Sequence, residues 1–142
     1  MADTSLGFRF RGRLNGELPT IQNLLFKDTE TLTVGDLVNL ESGEVDLAAT
    51  GDTALLGVVL ETKAGTDSTT YIRVIVDKDA IYGVYDANAR LKGATLDISG
   101  ATGAQTVAAS SNKEFVVYAP STADEETLVI FNIGKAHGTL AL

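Results

Sequence analysis

The chain has no cysteine and no tryptophan, and it has one histidine (His137) and one methionine (Met1) among its 142 residues. Without cysteine, disulfides, thiolate catalysis and cysteine-based metal sites are excluded. A catalytic triad would have His137 as its single candidate base. We therefore expect no enzyme, with no catalytic residues, no cofactor and no metal ion.

Long apolar runs are also missing. The longest uncharged apolar block, Ala54–Leu60, is far shorter than the roughly 20 residues that a membrane-spanning helix needs. The N-terminus has no apolar run that could be the hydrophobic region of a signal peptide. We expect a soluble protein with no membrane partner.

Charge is unevenly distributed along the chain, which has 11 basic and 19 acidic residues and a net charge of −8. Residues 1–27 carry four basic and two acidic residues, a net charge of +2. The remainder carries seven basic and 17 acidic residues, a net charge of −10. A basic N-terminal segment on an acidic body suits docking to an acidic protein surface. Nucleic acid is not an expected partner, because the phosphate backbone would repel the body.

Short apolar runs dominate the rest of the sequence. Between Thr31 and Thr62 they alternate with period two and are interrupted at Gly35, Gly43 and Gly51, which predicts strands of about five residues. The predicted fold class is all-β, a small β-barrel or sandwich of short antiparallel strands with an extended N-terminal arm. Eleven strands are predicted in the body: Ile21–Phe26, Leu32–Val34, Leu37–Leu40, Val45–Ala48, Ala54–Glu61, Thr70–Val76, Ala80–Tyr85, Ala94–Ile98, Gln105–Ala108, Glu114–Ala119 and Thr127–Ile133.

Two connecting segments stand out in this pattern. Lys63–Thr69 is predicted to be a polar loop. Asp86–Lys92 is the one plausible helical turn, with Asp86 as its cap and Gly93 at its end.

A boundary near Pro19 divides the chain into an N-terminal arm, residues 1–19, and a β-barrel body, residues 20–142. Within the arm the sequence alternates, so that Leu6, Phe8 and Phe10 face one way in an extended segment and the arginines face the other.

Two interpretations of this alternation stay open. The arm either packs as an edge strand of its own barrel or docks on a partner, and we favour docking. Phe8 and Phe10 would then be apolar anchors, and Arg9, Arg11 and Arg13 would pair with carboxylates. These five residues are the predicted binding site.

Four other groups of residues are candidate sites. His137 lacks a partner histidine, and catalysis would need Ser110, Ser111 or Thr139 beside it, so we interpret it as an exposed residue near the C-terminus. Gly100–Gly103 is followed by a predicted strand rather than a helix, which favours a hairpin loop over a phosphate-binding loop.

Acidic residues gather at two places. Asp77 and Asp79 could be paired carboxylates or Ca²⁺ ligands, but Lys78 between them favours a solvated turn. Asp124–Glu126 is interpreted as a charged loop that keeps the surface soluble.

Several segments occur in an order that resembles the capsid decoration, or cement, proteins of tailed bacteriophages. They are GDLVNLESGEV at Gly35–Val45, LLGVV at Leu55–Val59 and VIFN at Val129–Asn132, together with Phe8–Arg11 and Leu14–Gly16 followed by a proline.

The resemblance implies a homotrimer with a β-rich body and no enzymatic activity. It would be made in the host cytoplasm and would lie on the exterior of the expanded capsid in the virion. Such a protein bridges major capsid protein subunits, often through an N-terminal arm, which here would be Phe8, Arg9, Phe10, Arg11 and Arg13. The alternative is a virion-surface β-module that binds carbohydrate or a host receptor. That module would need exposed aromatic residues, and the sequence offers four tyrosines: Tyr71, Tyr82, Tyr85 and Tyr118.

Overall fold

A computed structural model describes residues 6–25, 30–64, 70–109 and 112–132. These residues form thirteen short strands and no helix, so none of them belongs to a helix long and apolar enough to cross a membrane. The strands are β1 (Phe8–Arg13), β2 (Ile21–Leu25), β3 (Thr31–Leu32), β4 (Leu37–Glu41), β5 (Glu44–Leu47), β6 (Leu55–Val58), β7 (Lys63–Ala64), β8 (Tyr71–Ile75), β9 (Ala80–Asp86), β10 (Thr95–Ser99), β11 (Thr106–Ala109), β12 (Phe115–Val117) and β13 (Glu125–Phe131). The predicted all-β class is confirmed.

The largest sheet has six antiparallel strands in the order β1-β9-β13-β12-β10-β11. The sheet is strongly curved, so that its two edge strands, β1 and β11, approach each other. The N–H of Gly7, just before β1, donates to the carbonyl of Gln105, just before β11, at 2.8 Å. The Thr106 hydroxyl of β11 also donates to the Tyr85 carbonyl of β9. Over the described residues this sheet stays open, so the sandwich form of the predicted class describes the molecule and the closed barrel does not.

A three-stranded sheet, β5-β4-β6, lies between the six-stranded sheet and the β2–β8 pair. On β4, Leu37 belongs to the hydrophobic core shared with the six-stranded sheet. Its neighbour Val38 belongs to a second core shared with Ile72 and Val74 of β8. Within the described residues, these three sheets therefore form three layers with two hydrophobic cores between them.

Burial on both faces explains the apolar run at β6. Leu55 and Val58 point into the first core, and Leu56 and Val59 point into the second. A strand that is covered on both sides needs a continuous apolar sequence rather than an alternating one. Gly57 lies where β6 meets β8, and a Cβ atom there would be 1.7 Å from the Ile75 carbonyl oxygen.

Each of the eleven predicted strands overlaps an observed one. β7 is an addition, because Lys63 and Ala64 of the predicted polar loop pair with β3. The rest of that loop lies outside the described residues.

The predicted helical turn is wrong. Asp86 is the last residue of β9 and is buried, and its carboxylate accepts hydrogen bonds from the Asn88 N–H and the Arg90 guanidinium. These contacts stabilise an extended bend, and Arg90 forms an isolated bridge with Ser121. Gly93 follows in a tight turn with a φ of 87°.

The described part of the N-terminal arm is extended, as expected, and it lies within the body. β1 pairs with β9 from Phe8↔Val84 to Arg13↔Ala80, with a bulge between Phe10 and Gly12. This is the edge-strand packing that the sequence left open. Pro19 lies between β1 of the six-stranded sheet and β2 of the β2–β8 pair, and the division of the chain at this residue stays a prediction.

Candidate interaction surface

The two phenylalanines of β1 contribute to the first core. Phe8 is 1% exposed, and its ring lies 5.3 Å from that of Phe115 and 6.4 Å from that of Tyr82, measured between centroids. Phe10 packs on the edge of the same core, 6.3 Å from Tyr82. In this conformation the Phe8 side chain is inaccessible to a partner, although whether the segment binds a capsid stays a prediction.

Arg11 binds a carboxylate of its own chain. Its Nε and Nη2 atoms donate to the two oxygens of Glu126 on β13, at 2.6 and 2.8 Å. β9 lies between the two strands, and Gly83 is the residue over which the Glu126 side chain passes. A Cβ atom at Gly83 would be 1.4 Å from Glu126 Oε1.

Arg13 binds the two aspartates that follow β8. Its Nε donates to Asp79 at 2.8 Å, its Nη1 lies 3.4 Å from Asp77, and the hydrogen bond to Asp79 raises the Arg13 pKa. Asp77 is 6% exposed and also accepts the Thr20 N–H at 2.7 Å. The predicted solvated turn is therefore wrong for Asp77, whose carboxylate is buried because it joins β1 to the segment before β2.

An apolar groove of about 350 Å³ runs beside β1. Leu6 and Val34, 46% and 58% exposed, lie on its walls, and Arg9 is the one charged residue among the described residues that line it. The described residues that line the groove present carbon surface and backbone, and none of them is a nucleophile or a general base.

The outer face of the β2–β8 pair is a second exposed surface, and it carries polar, aromatic and charged side chains as well as apolar ones. Asn23 pairs with Arg73 and Leu25 pairs with Tyr71 in this ribbon, and Tyr71 is 48% exposed. Ile21, at the other end of β2, is 48% exposed. This surface, which we call the ribbon face, consists of Ile21, Asn23, Tyr71 and Arg73.

The remaining sequence candidates lie apart from both surfaces or outside the described residues. His137, Ser110, Ser111 and Thr139 are not described. In the segment predicted as a charged loop, Asp124 is exposed and accepts the Tyr85 hydroxyl, while Glu125 and Glu126 belong to β13. Across the described ranges, no group of three or more His, Asp or Glu residues could hold a metal ion.

The fold has a counterpart among solved structures. It is similar to the head fiber gp8.5 N base in bacteriophage phi29. The TM-score is 0.53, with 13% sequence identity over 84% of this chain and 100% of that chain. No protein-family model matches, and neither does any curated protein. At this identity the similarity is one of fold.

Sequence reasoning missed a set of buried polar residues that tie the β10–β11 hairpin to the middle sheet. Asp36 accepts the N–H groups of Thr33 and Gly103 at 2.8 Å each, and also the Thr102 hydroxyl. Gln105 accepts the Leu37 N–H at 2.6 Å. Gly100–Gly103 therefore belongs to a hairpin loop, as predicted, and Asp36 anchors it.

Glu114 is a further buried carboxylate, and it accepts the Ile98 N–H at 3.0 Å. The pattern Thr33-Val34-Gly35-Asp36 is the one local signal for this set, because an Asp three residues after a Thr can accept its N–H across a turn.

Proposed function

We propose that this protein is a structural component of a phage virion, a decoration or cement protein that binds the outside of the capsid and bridges major capsid protein subunits. The observation that carries the proposal is the fold similarity to a phage head-fibre base over 84% of the chain. The order of sequence motifs that resembles decoration proteins supports it independently.

The apolar groove and the burial of carboxylates in the described part of the chain support a binding role rather than a catalytic one. The groove beside β1 is apolar, and none of the described residues that line it is a catalytic group. Carboxylates such as Asp36 and Asp77 are buried against backbone N–H groups, where they stabilise the fold. Stabilisation of a shell by such a protein follows from mass action, because binding to the assembled state alone shifts the equilibrium toward it.

The proposal includes a homotrimer. A trimer on a three-fold site would multiply weak contacts, since the second and third subunits bind at high effective concentration. The edge strands β1 and β11 of the open sheet are surfaces that association could cover.

Co-sedimentation tests the function directly. Purified protein is mixed with capsids of its own phage that lack it, and bound protein is quantified after pelleting. We expect saturable binding and a higher temperature of capsid disruption in the decorated sample. Absence of binding to expanded capsids would overturn the proposal. Specific signals on a glycan array would then favour the carbohydrate-binding alternative, for which Tyr71 and Tyr118 are the exposed aromatic residues in the described part of the chain.

A further inference from the structure

The arginines of this protein differ in the distance to their carboxylate partners and in the exposure of their side chains. Arg11, Arg13 and Arg90 each donate to a carboxylate at 2.6–2.8 Å. Arg73, on the ribbon face, lies 3.8 Å from Glu61, and its side chain is 56% exposed. An exposed ion pair at that distance contributes little to stability, so Arg73 can exchange Glu61 for a carboxylate of a partner at small cost.

Lys63 adds a second cation at the border of the ribbon face. Its ammonium lies 3.6 Å from the same Glu61 carboxylate and donates to the Tyr71 carbonyl at 2.7 Å. Two cations therefore share one carboxylate, and these three side chains together carry a charge of +1 on a chain whose net charge is −8.

The side chains beside these cations suit a protein interface. Tyr71 and Arg73 are two residues apart on β8 and project from the same side of the ribbon, with Ile21 at the far end of that side. Tyrosine and arginine are the residue types most enriched at energetic centres of interfaces, with Trp. A tyrosine ring gives a rigid contact surface, and the guanidinium can bind a carboxylate through two hydrogen bonds.

We propose that the ribbon face binds an acidic patch on the partner protein, with Tyr71 as the apolar contact and Arg73 as the group that pairs with a partner carboxylate. This inference deepens the proposed function and rests on it, because the partner is then the capsid. The capsid contact would then lie on β8, in the outer layer opposite the six-stranded sheet, rather than at the arginines of β1. Two of those arginines, Arg11 and Arg13, bind carboxylates of their own chain.

Capsid co-sedimentation of three variants tests the assignment. Arg73→Glu and Tyr71→Ala should each weaken binding at least about tenfold. The matched control is Lys92→Glu, which makes the same charge change at an exposed turn between β9 and β10 and should bind within about twofold of wild type. Circular dichroism and the thermal midpoint confirm that each variant is folded.

Salt dependence separates the two contributions. Between about 50 and 500 mM salt, wild-type binding should weaken because the pair at Arg73 is screened. Binding by Arg73→Glu should weaken less or become stronger as salt rises, because screening relieves the repulsion between the new carboxylate and the acidic patch. If Arg73→Glu and Tyr71→Ala bind capsids like wild type, the ribbon face is not the contact. If Val34→Glu abolishes binding instead, the contact is the groove beside β1.

A second experiment does not depend on the capsid. A synthetic peptide of about ten residues that alternates Glu and Leu is titrated into isotopically labelled protein, and amide shifts are followed by NMR. Shifts should concentrate in residues 21–25 and 71–75 and should disappear in Arg73→Glu. Shifts elsewhere, or none, would overturn the assignment, whereas failure of capsid binding with ribbon-face shifts would overturn only the proposed function.

Discussion

Arg11 and Glu126 form a two-point ion pair across the outer face of the six-stranded sheet, with Gly83 beneath the Glu126 side chain. The pair links the edge strand β1 to β13 over the strand that separates them. Since both partners are partly exposed, the pair itself should contribute no more than about 1 kcal/mol.

Gly83→Ala should lower the free energy of unfolding by no more than about 0.5 kcal/mol, because the new methyl group displaces the Glu126 carboxylate from its pair with Arg11 while the strand preference for alanine offsets part of that loss. In the Glu126→Ala background the same substitution should be neutral or stabilising, since alanine is preferred over glycine inside a strand by roughly 0.5–1 kcal/mol. Urea unfolding of the four proteins gives the coupling energy. Equal costs of Gly83→Ala in both backgrounds would mean that Glu126 does not pass over Gly83.

Phe8→Ala should destabilise the protein by about 3–5 kcal/mol, because it removes a fully buried ring from the first core. Leu6→Ala is the control, since Leu6 lies on the same segment and is 46% exposed. Deletion of residues 1–13 should therefore prevent stable folding rather than release a body that has merely lost its arm. Chemical denaturation measures both effects, and a truncated protein with wild-type stability would contradict them.

Asp36→Ala should cost about 1–3 kcal/mol, because the N–H groups of Thr33 and Gly103 lose their acceptor at a buried site. Asp52→Ala removes a comparable turn contact, the acceptor of the Ala49 N–H, at an exposed site where water can replace it. Its cost should be clearly smaller. The denaturation midpoints of the two variants make the comparison, and equal shifts would argue against a special role for Asp36.

Alkaline pH should destabilise the protein through Tyr82. Burial raises the pKa of the Tyr82 phenol above its ordinary value of about 10, with a smaller contribution from the charge of Asp77. Above pH 10 the unfolded chain loses this proton and the folded protein keeps it. The free energy of unfolding therefore falls as pH rises, by up to about 1.4 kcal/mol per pH unit from this group.

Tyr82→Phe removes the titrating group, so its stability should decline less steeply than that of wild type above pH 10. Urea unfolding at a series of pH values between neutral and alkaline measures the two slopes. Parallel curves for the two proteins would show that Tyr82 ionises equally in both states.

The alternation of apolar and polar residues was enough to predict the strands, because a strand buried on one face imposes period two on its own sequence. It also predicted that Phe8 and Phe10 share one side of β1, and in the structure that side faces the first core. The same reasoning did not find the partners of the arginines. Arg13 and Asp79 are 66 positions apart and Arg11 and Glu126 are 115 apart, so no local pattern relates them.

From the sequence, the basic residues at the N-terminus suggested a docking arm. Docking stays a prediction, and in the structure Arg11 and Arg13 bind carboxylates of their own chain. Gly57 is a similar case. In the sequence it is a glycine within an apolar run. Only the structure shows that a side chain is excluded there, because the Ile75 carbonyl of β8, in another layer, lies where a Cβ atom would be.

The middle sheet has consequences for how the molecule loses its structure. One face of β5-β4-β6 is covered by the six-stranded sheet and the other by the β2–β8 pair. Detachment of either outer layer would expose a complete face of apolar side chains to water, so neither layer can open alone without a large free-energy cost. The chain should thus unfold in a single cooperative step. Partly unfolded forms, whose exposed apolar surfaces would promote aggregation, should be scarce.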